Sequence, residues 1–164
     1  MNKSMLIARQ NQQRRKSYLL MCCLTLLSVA LQYGTTKEND PGVVPGRFMN
    51  IEIVVDGQTA TATLFDTPTG RDFASLLPLN LTLNDYDDIE RISDLPRRLT
   101  VTGAADGMIP TAGDITFYSP WGNLAIFTHG RAYARSLIPV GKITSGMPVL
   151  QRHGPLRVQI RAEC

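Results

Sequence analysis

The sequence predicts a mainly β protein, a closed antiparallel β-barrel with one or two short helices. Two observations carry this reading. From Met49 onward the apolar residues alternate with polar ones in short segments, the period of half-buried strands rather than of helices. These segments also lack the solid apolar runs of a parallel sheet, and turn residues such as Asp56-Gly57 separate them. Closure removes the sheet edges that an exported monomer must otherwise protect.

The first segment, MNIEIVVDG, places Ile51, Ile53 and Val55 on one face and ends in Asp56-Gly57, a strong hairpin turn. Its partner runs from Thr59 to Phe65. Next, Pro68 to Leu77 sets Phe73, Leu76 and Leu77 at helical spacing, with Thr67 as cap, Pro68 at the first helical position and Pro78 as terminator. LNLTLNDY returns to strand period through Leu79, Leu81 and Leu83. The acidic stretch DYDDIERISDLP, residues 85–96, reads as a solvated loop, and Arg98 to Val101 as a short strand. A Gly- and Pro-containing surface loop follows. Gly113 to Ser119 alternates, Pro120-Trp121-Gly122-Asn123 turns, and Leu124 to Thr128 returns. Leu137 to Thr144 and Leu156 to Ala162 add two strands, with a turn or short helix at Met147 to Leu150 between them.

The N-terminal part has a different character. Residues 1–30 carry Lys3, Arg9, Arg14, Arg15 and Lys16 and no acid, followed by the apolar run Tyr18 to Leu31. That run has the length of a signal-peptide core and falls short of the ~20 apolar residues that span a bilayer. Residues 1–30 are therefore expected to be a signal peptide cleaved after Ala30, or an uncleaved anchor. Residues 31–48 are expected to be a flexible linker and residues 49–164 the barrel domain, in a periplasmic or extracellular location. The net charge of +3 belongs to the leader: without its five cations, 12 basic residues face 14 acidic ones, a net of −2. A charge balance of that kind argues against nucleic acid as a partner. A membrane contact is expected only through an uncleaved leader. Cys22 and Cys23 lie within the apolar run and Cys164 at the last position, so the mature domain has no disulfide to rely on.

Catalytic and cofactor motifs are sparse. His129 and His153 lack acidic or Cys neighbours at metal-ligand spacing, no Gly-x-Ser-x-Gly elbow occurs, and Gly103, Gly107 and Gly113 do not form a phosphate loop. No metal or cofactor is expected. Three groups are candidate ligand contacts. Tyr118, Trp121 and Asn123 gather at one hairpin end, where Trp121 either closes the barrel or forms a binding platform. Arg97, beside Arg98, either binds an anion or answers the acidic loop. Arg71 and Tyr86 either share a groove or leave Arg71 paired with a nearby carboxylate.

The helix region PTGRDFASLLPLNLTL, the segment LPRRLTVTG, the hairpin AGDITFYSPWGNLAIF and the later LIPVGKITSG occur in this order. Together they resemble the bacterial cyclophilin-like domain family of small β-barrels, over Met49 to Glu163, the hairpin being the most specific part. The resemblance implies an antiparallel barrel with capping helices. It does not extend to catalysis. True cyclophilins use an arginine in a Phe-His-Arg type strand motif followed by Gln-Gly-Gly, and neither is present; the nearest echo, Arg71-Asp72-Phe73, falls in the expected helix. The expected function is binding of a small molecule or peptide in a surface groove. A divergent peptidyl-prolyl isomerase acting on exported proteins is the alternative.

Overall fold

The computed structural model describes residues 46–164. The signal-peptide or anchor reading of 1–30 and most of the linker reading lie outside the described residues. Eight strands close into an antiparallel barrel: β1 (Arg47–Val55), β2 (Gln58–Phe65), β3 (Leu79–Tyr86), β4 (Glu90–Asp94), β6 (Asp114–Tyr118), β7 (Asn123–Phe127), β9 (Leu137–Ser145) and β10 (Leu156–Ala162). Around the barrel the order is β1-β10-β3-β4-β7-β6-β9-β2. A separate two-stranded ribbon joins β5 (Gly107–Met108) to β8 (Ala134–Arg135). The first strand begins at Arg47, so Arg47 and Phe48 belong to the barrel rather than to the linker.

The alternation seen in the sequence becomes the inward face. Ile51, Ile53 and Val55 of β1, Ala60, Ala62 and Leu64 of β2, and Val158 and Ile160 of β10 are all buried in one core with Phe117, Leu124 and Ile126. Asp56 and Gly57 both adopt positive φ, 48° and 78°, as the tight β1–β2 turn requires.

Helix α1 (Pro68–Ala74) drops Phe73 into this core. Its Thr67 hydroxyl accepts the Gly70 N–H at 3.0 Å. A Cβ on Gly70 would meet the Phe65 carbonyl oxygen at 2.2 Å, so only glycine lets the helix start this close to β2. The helix ends at Ala74 rather than Leu77, because Leu76 and Leu77 turn inward to pack on the core. Helix α2 (Met147–Leu150) follows β9 and buries Leu150.

Two expectations are corrected. The acidic stretch is not a solvated loop: Glu90 to Asp94 is strand β4, paired with both β3 and β7. Its two faces are both covered, so polar Glu90 and Arg91 are buried side by side in sequence and the alternation signal vanishes. Arg91 is 2% exposed and points to the barrel end. There it forms an ion pair with Asp85 and donates from Nε to the Leu150 carbonyl at 2.8 Å. Arg98 to Val101 is not a strand. Its backbone is satisfied by α1 instead: the Thr100 N–H donates to Asp72 at 2.7 Å and the Thr100 carbonyl accepts from the Thr69 hydroxyl at 2.8 Å.

Candidate functional site

Strand register decides which side chains leave the barrel together. Glu90 pairs with Phe127, Ile92 with Ala125 and Asp94 with Asn123 across β4 and β7, while Tyr118 pairs with Asn123 and with Leu137. Side chains two apart share a face, so Glu90, Ile92, Asn123, Ala125, Phe127, Tyr118 and Leu137 stand on the outside of the sheet. Ala125, Phe127 and Leu137 form a small apolar cluster there, separate from the barrel core, with Ile92, Met108, Tyr118 and Ala134 packed against it. The β5–β8 ribbon thus lies against the outer face.

Between ribbon and sheet is a pocket of about 330 Å³. Ile92, Ala125, Phe127 and Leu137 supply its apolar lining; Tyr86, Tyr118, Trp121 and Tyr133 its aromatic one; Glu90, Asn123, Arg131 and Arg135 its polar groups. Trp121 lies in the turn between β6 and β7, 58% exposed. It stands edge-on to Tyr86 and to Tyr118, at centroid distances of 5.8 Å and 5.5 Å. The turn itself is fixed by Gly122, at φ 76°, whose N–H donates to the Tyr118 carbonyl at 2.9 Å. Arg98 clasps it from outside, donating to the carbonyls of Ser119 and Pro120.

The polar groups differ in how well they are satisfied. Glu90 is 7% exposed and accepts from Arg131 Nη1 at 2.7 Å through Oε1. Asn123 is 5% exposed, and its Oδ1 has no hydrogen-bond partner. Arg135, in β8, has no ion pair among the described residues. Among those residues no group of three His, Cys, Asp or Glu side chains is arranged to hold a metal ion.

Of the six candidates named from sequence, the pocket gathers four: Tyr86, Tyr118, Trp121 and Asn123. Trp121 does not plug the barrel; it forms the pocket rim. Arg71 and Arg97 lie elsewhere. Arg71 pairs with Asp66 at 2.5 Å and its guanidinium covers the Phe48 ring at 5.2 Å, so it shares no groove with Tyr86. Arg97 grips Asp72 with two hydrogen bonds, at 2.6 and 3.0 Å, rather than answering the acidic stretch. That hydrogen bond, aided by the Thr100 N–H, holds the Asp72 carboxyl below its ordinary value.

Glu90, Arg131, Tyr133 and Arg135 escaped the sequence reading. The segment RAYAR, residues 131–135, carried a usable signal: its large side chains recur with period two, and all three line the pocket.

Residues 53–161 match the model of the cyclophilin-like family. Among solved structures, a hypothetical protein from Archaeoglobus fulgidus, AF2241, determined in solution, is similar to this chain at 18% identity and a TM-score of 0.51. The likeness covers 74% of this chain and 99% of that one, and it concerns the fold. No curated protein matches.

Proposed function

Because the chain belongs to the cyclophilin-like family, we propose that it is a binding barrel whose outer-face pocket takes a small molecule or a peptide end. One observation carries the reading: the buried Asn123 side chain, whose Oδ1 has no partner, lines a pocket walled by aromatic rings. A buried acceptor without a donor costs about 1–3 kcal/mol, and a ligand that brings an N–H or O–H recovers it. The apolar and aromatic surround supplies contact area, and the few polar groups fix orientation. Arg71, the residue nearest to a cyclophilin-type motif, is outside this pocket, so the isomerase alternative loses the one arginine whose sequence context pointed to it.

The test is a small-fragment screen on the full chain, read by the Trp121 indole and the Asn123 side-chain amide in NMR spectra. Fragments that shift both signals together, and no longer shift the Trp121 indole in Asn123→Leu, support the reading. A screen in which no fragment moves either signal refutes it.

The same proposal places the barrel outside the cytoplasm, carried there by residues 1–30, on the strength of their cationic start and short apolar run. Among the described residues no helix is long and apolar enough to cross a membrane. Mass spectrometry of the protein from its own cells tests this: a chain starting at Leu31 marks cleavage, and an intact Met1 in the cytoplasmic fraction contradicts export.

A further inference from the structure

We infer that the pocket takes a monoanionic carboxylate with an N–H donor on the neighbouring carbon and an apolar or aromatic body. This chemistry is shared by the free C-terminal residue of a peptide and by a small N-acyl amino acid. The inference rests on the reading of the pocket as a ligand site and specifies what fills it.

Charge comes first. The pocket holds two arginines and one glutamate. Arg131 is taken up by Glu90 at 2.7 Å, which leaves Arg135 as the pocket cation without an ion pair among the described residues. A guanidinium in that state selects an anion, and its planar fork matches a carboxylate through two parallel hydrogen bonds. One free positive charge calls for one negative charge.

Position then ties the carboxylate to a donor. The Ser119 N–H donates to the Ser136 carbonyl at 3.1 Å, and Tyr118 pairs with Leu137. Arg135 therefore enters the pocket at the end where Tyr118 pairs with Asn123. Glu90 stands at the other end, because Asn123 faces Asp94 and Glu90 lies four residues earlier on β4, about 13 Å away along the strand. The anion at Arg135 and the donor to Asn123 Oδ1 thus belong to one end of the ligand. An α-amido acid carries both on a single carbon. Its side chain or acyl group then runs over Ile92 and Ala125 beneath Trp121. The volume of about 330 Å³ sits at the lower end of the range for small-ligand pockets. It suits one amino-acid-sized group rather than a threaded chain.

The experiment titrates the full chain by calorimetry with N-acetyl-L-phenylalanine and its amide, and with a pentapeptide ending in phenylalanine as free acid or as amide. The acid of at least one pair is expected to bind roughly tenfold more tightly than its amide, the effect of one charge-assisted hydrogen-bond pair. Arg135→Gln, at an exposed position, is expected to erase that preference, and Asn123→Leu to weaken acid and amide alike. Preference confined to the N-acetyl pair identifies a small-molecule ligand; preference confined to the peptide pair identifies a peptide C-terminus. Equal binding of acid and amide, with Trp121 and Asn123 signals shifting, overturns the carboxylate inference while leaving the pocket a ligand site. Absence of binding by all four probes also overturns it, and the fragment screen then decides the broader reading. A preference that survives in Arg135→Gln overturns the assignment to Arg135.

Discussion

Trp121 stands edge-on to Tyr86, with ring planes 82° apart, although the two residues belong to different hairpins. Tyr86 ends β3, and Trp121 occupies the turn after β6. The contact links two hairpins over the outer face of the barrel, and it walls one side of the pocket without joining the barrel core.

A Trp121→Ala substitution is therefore expected to cost little stability. Its edge contacts with Tyr86 and Tyr118 are half open to solvent, so the loss is about 1 kcal/mol, against about 3–5 kcal/mol for Phe117→Ala inside the barrel. Chemical denaturation of both variants measures the difference. Equal losses would restore Trp121 to the role of barrel plug.

Asn123→Leu is expected to raise stability by about 1 kcal/mol while weakening ligand binding. The substitution replaces an unpartnered buried amide by an apolar group of similar size, which ends a desolvation cost. Thermal melts without ligand show the gain. A loss of stability would mean that the amide is satisfied in the free protein.

How much of this was legible in the sequence depends on which face a residue occupies. Strands β1, β3 and β10 alternate because one side packs on the core and the other is more open to water, as the burial of Leu156, Val158 and Ile160 beside exposed Arg157, Gln159 and Arg161 illustrates. Strand β4 did not stand out. Glu90 and Ile92 face the pocket, while Arg91 is buried at the barrel end, so period two carried no contrast between water and core. The hairpin turn gave up Tyr118, Trp121 and Asn123 together because they are close in sequence. Arg131 and Arg135 come to them only through the ribbon pairing of Gly107 with Arg135 and Met108 with Ala134, a long-range contact made by two short strands. Arg71 and Arg97 were drawn to carboxylates within reach, Asp66 and Asp72, which local pattern alone could not rank.

Asp85→Ala is expected to destabilise the barrel by about 3 kcal/mol, since it leaves the buried Arg91 guanidinium without its counter-charge. Burial already pushes the Arg91 guanidinium down from its ordinary value. Asp85 also accepts the Gly154 N–H at 2.8 Å, so the variant frees the turn after α2 as well. Urea unfolding measures the effect. A loss below that of an ordinary surface substitution would contradict the role given to this pair.

Acid should loosen the attachment of α1. The Asp72 carboxyl is held below its ordinary value of 3.8, first by the hydrogen bond from Arg97 and next by the Thr100 N–H. A depressed folded-state value contributes stability that is fully present above the unfolded value and is lost as pH falls through the folded one. The loss therefore lies below 3.8. Unfolding midpoints taken between about pH 5 and about pH 2 should fall less steeply in Asp72→Asn than in the parent chain. Parallel slopes would remove Asp72 from the acid response.

The central claim is that ligand meets the outer face of the barrel at Asn123. It is tested most directly by a crystal structure of the full chain grown with N-acetyl-L-phenylalanine. The account predicts the ligand between Trp121 and the β5–β8 ribbon, its N–H within hydrogen-bond distance of Asn123 Oδ1 and its carboxylate on Arg135. A ligand bound elsewhere on the barrel, with Asn123 Oδ1 still unpartnered, would contradict it.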